Sequence, residues 1–223
     1  MTARRTSDWV VVAAGLAAVL LWDLSGLDRP FMHLLGDANG FAWKEHWLTA
    51  TLIHGGGRVL AWLVLGLLLV NVWRPLWAGP TRRERVVWVA VTALCVLAVP
   101  MLKQFSHTSC PWDLAEFGGV AQYVSHWRFG VADGGGGHCF PSGHAVAAFG
   151  FFGTYFLWRG HDARRARLWL VAVVGVGLLF GTAQLARGAH YPSHTLWSAW
   201  LCWVVCVAAA QWRPRSTPGT APA

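Results

Sequence analysis

Three short stretches carry side chains that could do chemistry together: "LKQFSHTSCPWDLAEFGG" from Leu102, "GGGGHCFPSGHA" from Gly134 and "GTAQLARGAHYPSHTLWSAW" from Gly181. In the second, Pro141 suits a helix start, Ser142 is a good N-cap and Gly143 lets the backbone approach a bound group. Free amides and the helix dipole make such a start an anion site, best suited to phosphate, and His144 sits in its first turn. In the third, Arg187 can grip phosphate oxygens with a planar fork, and Gln184 shares its helix face three residues earlier. His190 can attack phosphorus when a neighbour fixes its tautomer, and His194 follows four residues later. The first stretch supplies a cation, Lys103, and then Cys110 and Asp113. Cations to hold charge, one histidine to attack and another to protonate a leaving oxygen make a phosphoryl-transfer site. Taken singly, each piece has a plainer reading: a lysine snorkelling from a helix end, a capped helix start, polar caps on two helix ends.

The elements that must position these residues are membrane helices. The chain has 223 residues, 55% hydrophobic and 13% charged, with 16 tryptophans, a residue that favours membrane interfaces. Its charges fall in blocks between six apolar segments, roughly 9–27, 58–73, 86–102, 143–158, 168–186 and 194–212. This predicts an all-α polytopic bundle of about six transmembrane helices, one domain over 1–212, and a disordered cytoplasmic tail over 213–223. The first segment lacks a small-x-small cleavage site before Asp23 and reads as a retained span rather than a signal peptide.

With the N-terminus inside, the inner segments hold twelve basic residues: Arg4, Arg5, Arg74, Arg82, Arg83, Arg85, Arg159, Arg164, Arg165, Arg167, Arg213 and Arg215. The outer segments hold six: Arg29, Lys44, Arg58, Lys103, Arg128 and Arg187. The bias puts both termini in the cytoplasm and explains the formal net charge of +8 without a nucleic-acid partner. Nine of the ten histidines then fall outside, and only His161 inside. His33, His46, His54 and His126 suit headgroup contacts at the interface, and the outer loop 28–57 suits a segment lying along it.

The pattern resembles the type-2 phosphatidic acid phosphatase superfamily, which includes the vanadium haloperoxidases. That family pairs a lysine, six residues and Arg-Pro with Pro-Ser-Gly-His and with Ser-Arg, five residues, His, three residues and Asp. The likeness runs from about residue 86 to 205, and "FPSGHA" is its most specific piece. Lys103 followed by Cys110-Pro111 partly matches the first motif, and "GAHYPSH" the third. Cys110 stands in place of the family's first arginine, Ala183-Gln184 in place of Ser-Arg, and His194 in place of the aspartate.

The resemblance implies a lipid phosphatase of the membrane-bound branch. His190 attacks and forms a phosphohistidine, and His144 protonates the leaving oxygen. Lys103, Arg187 and the Ser142–Gly143 backbone hold the phosphate, with no metal and no cofactor. The expected partners are the membrane and a phosphorylated lipid (phospholipid, polyprenyl or lipid A type) on the outer face of the inner membrane. For the missing carboxylate, His194 can accept the His190 N–H when neutral, or Asp113 can serve. A second register makes His194 the nucleophile with Ser198 as its partner.

Cys110 and Cys139 share the outer loop, where an oxidising compartment would let them bridge and tie the first cluster to the second; two free buried thiols are the alternative. Three other classes compete: a phosphotransferase of the same fold, a member that binds lipid phosphate without turnover, and a metal or haem protein. The last places its histidines inside facing spans rather than in outer loops.

Overall fold

The computed structural model describes residues 2–212, and the tail expected over 213–223 lies outside them. Helix α1 spans Thr2–Ser25 and is followed by a short α2, Asp28–His33. A π-helical segment, Trp47–Gly56, runs without a break into α3, Gly57–Trp73. Helix α4 is Arg82–Lys103, α5 Gly143–Phe149, α6 Gly153–Trp158, α7 Ala163–Ala186 and α8 Pro192–Gln211. The described residues form no sheet, only two isolated bridges. Five helical segments are long and apolar enough to cross a membrane.

The expected segment 143–158 is the exception, and its difference has a reason. It is an interrupted helix, α5 and α6 joined by the 3-10 turn Gly150–Phe152. Sixteen helical residues reach only about 24 Å, short of a hydrocarbon core of about 30 Å. The element lies at the centre of the bundle rather than against lipid: Phe149, Phe151, Phe152, Phe156, Leu157 and Trp158 are all buried. They pack against Trp88, Val91 and Cys95 of α4, Val173 of α7 and Cys202 and Cys206 of α8. Irregular backbone is tolerated there because protein, not lipid, surrounds it. The outer helices turn large apolar side chains outward instead, such as Trp62 and Leu63 of α3, Leu97 of α4 and Val171 of α7.

The second difference is at the N-terminal end of α3. The sequence reading starts this span at Arg58, because "HGGG" looks like loop. The structure carries the helix back to Trp47. His46 caps it by accepting from the Leu48 amide at 3.3 Å. One of the glycines has a packing reason: a Cβ on Gly57 would lie 2.5 Å from the Phe180 ring of α7.

Polar ties pin both ends of the bundle. At one end Arg159 bridges to Asp8 of α1 at 2.7 Å. At the other, Asp23 accepts from Trp197 at 2.8 Å and Trp127 at 3.1 Å. Nearby, Asp28 accepts from the Ser193 amide at 3.0 Å and from its hydroxyl, anchoring the start of α8. A small apolar cluster of Met32, Phe41, Leu114, Phe117, Ala121 and Tyr191 joins α2 and both outer loops to the α7–α8 turn. The end of α4, the start of α5 and the α7–α8 turn thus come together at one end of the molecule.

Candidate active site

Backbone hydrogen bonds fasten the three stretches to one another. The His138 amide donates to Ser106 O at 2.8 Å and the Cys139 amide to Thr108 O at 2.9 Å. The Trp112 amide donates to Gly188 O at 2.9 Å, and the Ser142 amide to His194 O at 3.2 Å. The Ser198 hydroxyl bridges the Ser142 and His194 carbonyls, at 2.9 Å each. A disulfide joins Cys110 to Cys139, closing a separation of 29 residues. Cys110 therefore stands beside the start of α5 as half of a bridge. Gly188 makes the tight turn, with a φ of +72° and the Phe41 ring where a Cβ would go.

His190 and His194 are both buried. Their Nδ1 atoms lie 3.4 Å apart, and His190 Nδ1 is also 3.6 Å from Cys139 Sγ. One proton shared between the two Nδ1 atoms fixes both tautomers. When His190 donates it, His190 Nε2 is left as a free lone pair. Burial, and then the Lys103 charge, hold His190 well below the ordinary histidine range, so it is neutral at pH 7. Among the described residues no carboxylate hydrogen-bonds to either ring. Asp113 instead accepts from the Cys110 amide at 3.3 Å and caps its own turn. Asp23 reaches only as far as His126, at 3.2 Å, whose ring meets His194 edge-on at 5.9 Å.

His144 presents a buried Nε2 with no hydrogen-bond partner among the described residues. Its ring is stacked on that of His54, with centroids 3.7 Å apart and planes 30° from parallel. Ser142 caps α5 by accepting from the Ala145 amide at 3.4 Å. Since its own amide is taken by His194 O, the free amides at this helix start are those of Gly143 and His144. Space beside Gly143 is open: a Cβ there would meet nothing within 4 Å.

Arg187 donates from Nε to Lys44 O at 2.8 Å, which leaves its terminal nitrogens for a ligand. Its guanidinium lies 5.6 Å from the Trp112 ring centre, and Lys44 Nζ lies 5.1 Å from the same ring. Burial lowers the Arg187 pKa, opposed by the charge of Glu45. Lys103 ends α4, and its charge acts on His144, His190 and His194. Gln184 is buried with an unpartnered Nε2, a neutral donor where the family carries a cation.

The structure thus gathers His144, His190, His194, Lys103 and Arg187 at one place, and ties Ser142, Ser198 and Asp113 into the frame. It also adds His54, which the sequence reading assigns to the interface. The "HGGGR" run carried no signal for this, because the stack forms across two elements far apart in the chain. Cys139, His190 and His194 offer three atoms within 4.8 Å of one another, a spacing a metal could use. Cys139 is oxidised in the disulfide and supplies no thiolate, so the set reduces to two imidazoles, too few for a structural zinc site.

Residues 84–218, more than half of the chain, match the model of the PAP2 superfamily. The matched region contains all three stretches and begins after α3. No curated protein and no solved structure matches the chain.

Proposed function

The chain belongs to the PAP2 superfamily, a phosphatase superfamily, and from that membership we propose that it removes phosphate from a phosphorylated membrane lipid through a phosphohistidine. The single observation that carries this reading is the His190–His194 contact between Nδ1 atoms beside the unpartnered Nε2 of His144. His190 donates Nδ1–H to neutral His194 and attacks phosphorus with Nε2. The bond to the lipid oxygen breaks, and that oxygen takes a proton from His144, which enters the step as an imidazolium: burial and the nearby cations lower its pKa in the empty site, and the negative charge of the bound phosphate raises it again. Neutral His144 then removes a proton from water, whose oxygen attacks the phosphohistidine, releasing inorganic phosphate and restoring His190. Lys103, Arg187 and the amides of Gly143 and His144 hold the phosphate oxygens, and Gln184 adds a neutral donor. No step calls for a metal.

A lipid is the substrate class because of what lies beside this site. An apolar groove of about 380 Å³ runs along Phe140 and Pro141, just ahead of Ser142, and continues over Leu102, Phe105, Trp197 and Leu201. Its apolar lining suits a chain of methylenes and supports a lipid substrate. Phosphatidic acid, a polyprenyl diphosphate and a lipid A type phosphate all meet that description. The bias of basic residues supports a site on the outer face of the inner membrane.

The test is phosphate release from a panel of those lipids by purified protein in detergent with EDTA, wild type beside His190→Ala. Release that survives EDTA and vanishes in the variant supports the reading. Release that persists in His190→Ala moves the nucleophile to His194. No release from any lipid, with phosphate or vanadate still bound, identifies a binding protein, and release only on adding an acceptor alcohol identifies a phosphotransferase.

A further inference from the structure

We infer that His54, which lies outside the family-matched region, is a positioning residue of this site: its ring fixes the plane of the His144 imidazole so that Nε2 faces the leaving oxygen. The inference rests on the reading of His144 as the proton donor.

Three observations lead here. The two rings overlap face to face at 3.7 Å, far closer than most aromatic pairs, which sit 4.5–7 Å apart. Among the described residues His144 Nε2 has no hydrogen bond that could set the ring's orientation from that edge. A packed face is what remains to do it. And His54 lies in the π-helical segment Trp47–Gly56. Such turns are uncommon and frequently sit at functional sites, where the wider turn shifts the following residues around the axis.

The geometry also says what His54 does not do. Stacked rings present faces, and a proton passes between ring edges. A direct His54-to-His144 relay is therefore not what this arrangement builds. A flat, polarisable face suits His144 in both its states. It packs against the neutral ring, and it lies under the imidazolium as a π-face lies under a cation. The charges around the pair come from several elements: Arg58 on α3, Arg187 on the α7–α8 turn, Lys103 on α4 and His190 after α7. All are cations or neutral rings, which draw a phosphate toward the pair.

Two substrates separate the parts of this argument. One is a lipid phosphate, whose alkoxide needs a proton to leave. The other is p-nitrophenyl phosphate, whose phenolate does not. His144→Ala is expected to slow the lipid substrate about 100-fold more than the aryl one. His54→Ala and His54→Gln are expected to show the same bias at about 10-fold, in kcat rather than KM. His54→Phe, which keeps a flat ring, should return most of the lost rate. The double variant His54→Ala/His144→Ala should be no slower than His144→Ala alone, since a positioning residue has nothing left to position.

Equal losses on both substrates, no rescue by Phe, or losses that multiply in the double variant would overturn the role of His54. Should His54→Ala fail to fold, the Phe and Gln variants carry the same comparison. If instead His144→Ala shows no preference between the substrates, or the wild type cleaves neither, the reading of His144 fails first and His54 loses its role with it.

Discussion

At the scale of single residues, the question is what a histidine does where the family keeps an aspartate. A carboxylate both holds the tautomer of the attacking imidazole and offsets the positive charge that imidazole acquires. His194, fully buried, can do only the first. Its Nδ1 sits 3.4 Å from that of His190, and its Nε2 has no partner among the described residues. His194→Ala removes the acceptor, and kcat on a lipid phosphate should fall about 100-fold, about 2.7 kcal/mol of transition-state stabilisation. His194→Asp should recover rate above the alanine variant, because a carboxylate there accepts the His190 N–H and offsets the charge that ring gains on attack. An aspartate variant no better than alanine would show that His194 acts otherwise than as an acceptor for His190. Low burial-driven basicity would serve His190 in the proposed role as well: a neutral ring offers phosphorus a lone pair, with no proton to shed first.

At the scale of elements, the Cys110–Cys139 bridge takes over where a family arginine is missing. It cannot bind phosphate. It joins the loop after α4 to the loop before α5, and it leaves Cys139 Sγ packed at 3.6 Å against His190 Nδ1. Cys110→Ser/Cys139→Ser should lower unfolding stability by about 3–4 kcal/mol, the cost expected for releasing a loop of this size. Activity should fall with it as the start of α5 loosens. Denatured wild type should label at the three thiols Cys95, Cys202 and Cys206 without reductant, and full labelling of all five cysteines would disprove the bridge.

This scale also shows where sequence reading runs out. The start of α5 was legible because its chemistry is local: proline, cap and glycine are adjacent. The third stretch was legible for the same reason, four residues separating His190 from His194. The π-helical segment and the His54–His144 stack were not. "HGGG" is loop by propensity, and the Phe180 ring against Gly57 shows why a glycine stands where the helix packs on α7. Nor could spacing reveal that Asp113 caps its own turn, because that depends on where the loop folds back. The central helix was found, but its burial and its break at Gly150–Phe152 follow from being enclosed on all sides, which a run of apolar residues does not distinguish from facing lipid.

At the scale of the whole molecule, one consequence follows from helices that alternate in direction. The Asp8–Arg159 pair marks one end and the His144–His190 site the other, so the loops at the two ends cannot face the same compartment. The excess of basic residues at the Asp8–Arg159 end predicts that the site faces outside. Two glycines report on this without disturbing the fold: a Cβ at Gly136 or at Gly160 meets nothing within 4 Å, and neither has a positive φ. Gly136 lies in the loop before α5, and Gly160 between α6 and α7. The three native free thiols are buried and should stay silent in the folded protein. In intact cells, a membrane-impermeant maleimide should label Gly136→Cys and reach Gly160→Cys only after permeabilisation. The reverse pattern would turn the protein over and make its substrate a lipid of the cytoplasmic leaflet. The site chemistry would be unchanged, since it depends on which residues meet at that end and not on which side of the membrane the end faces.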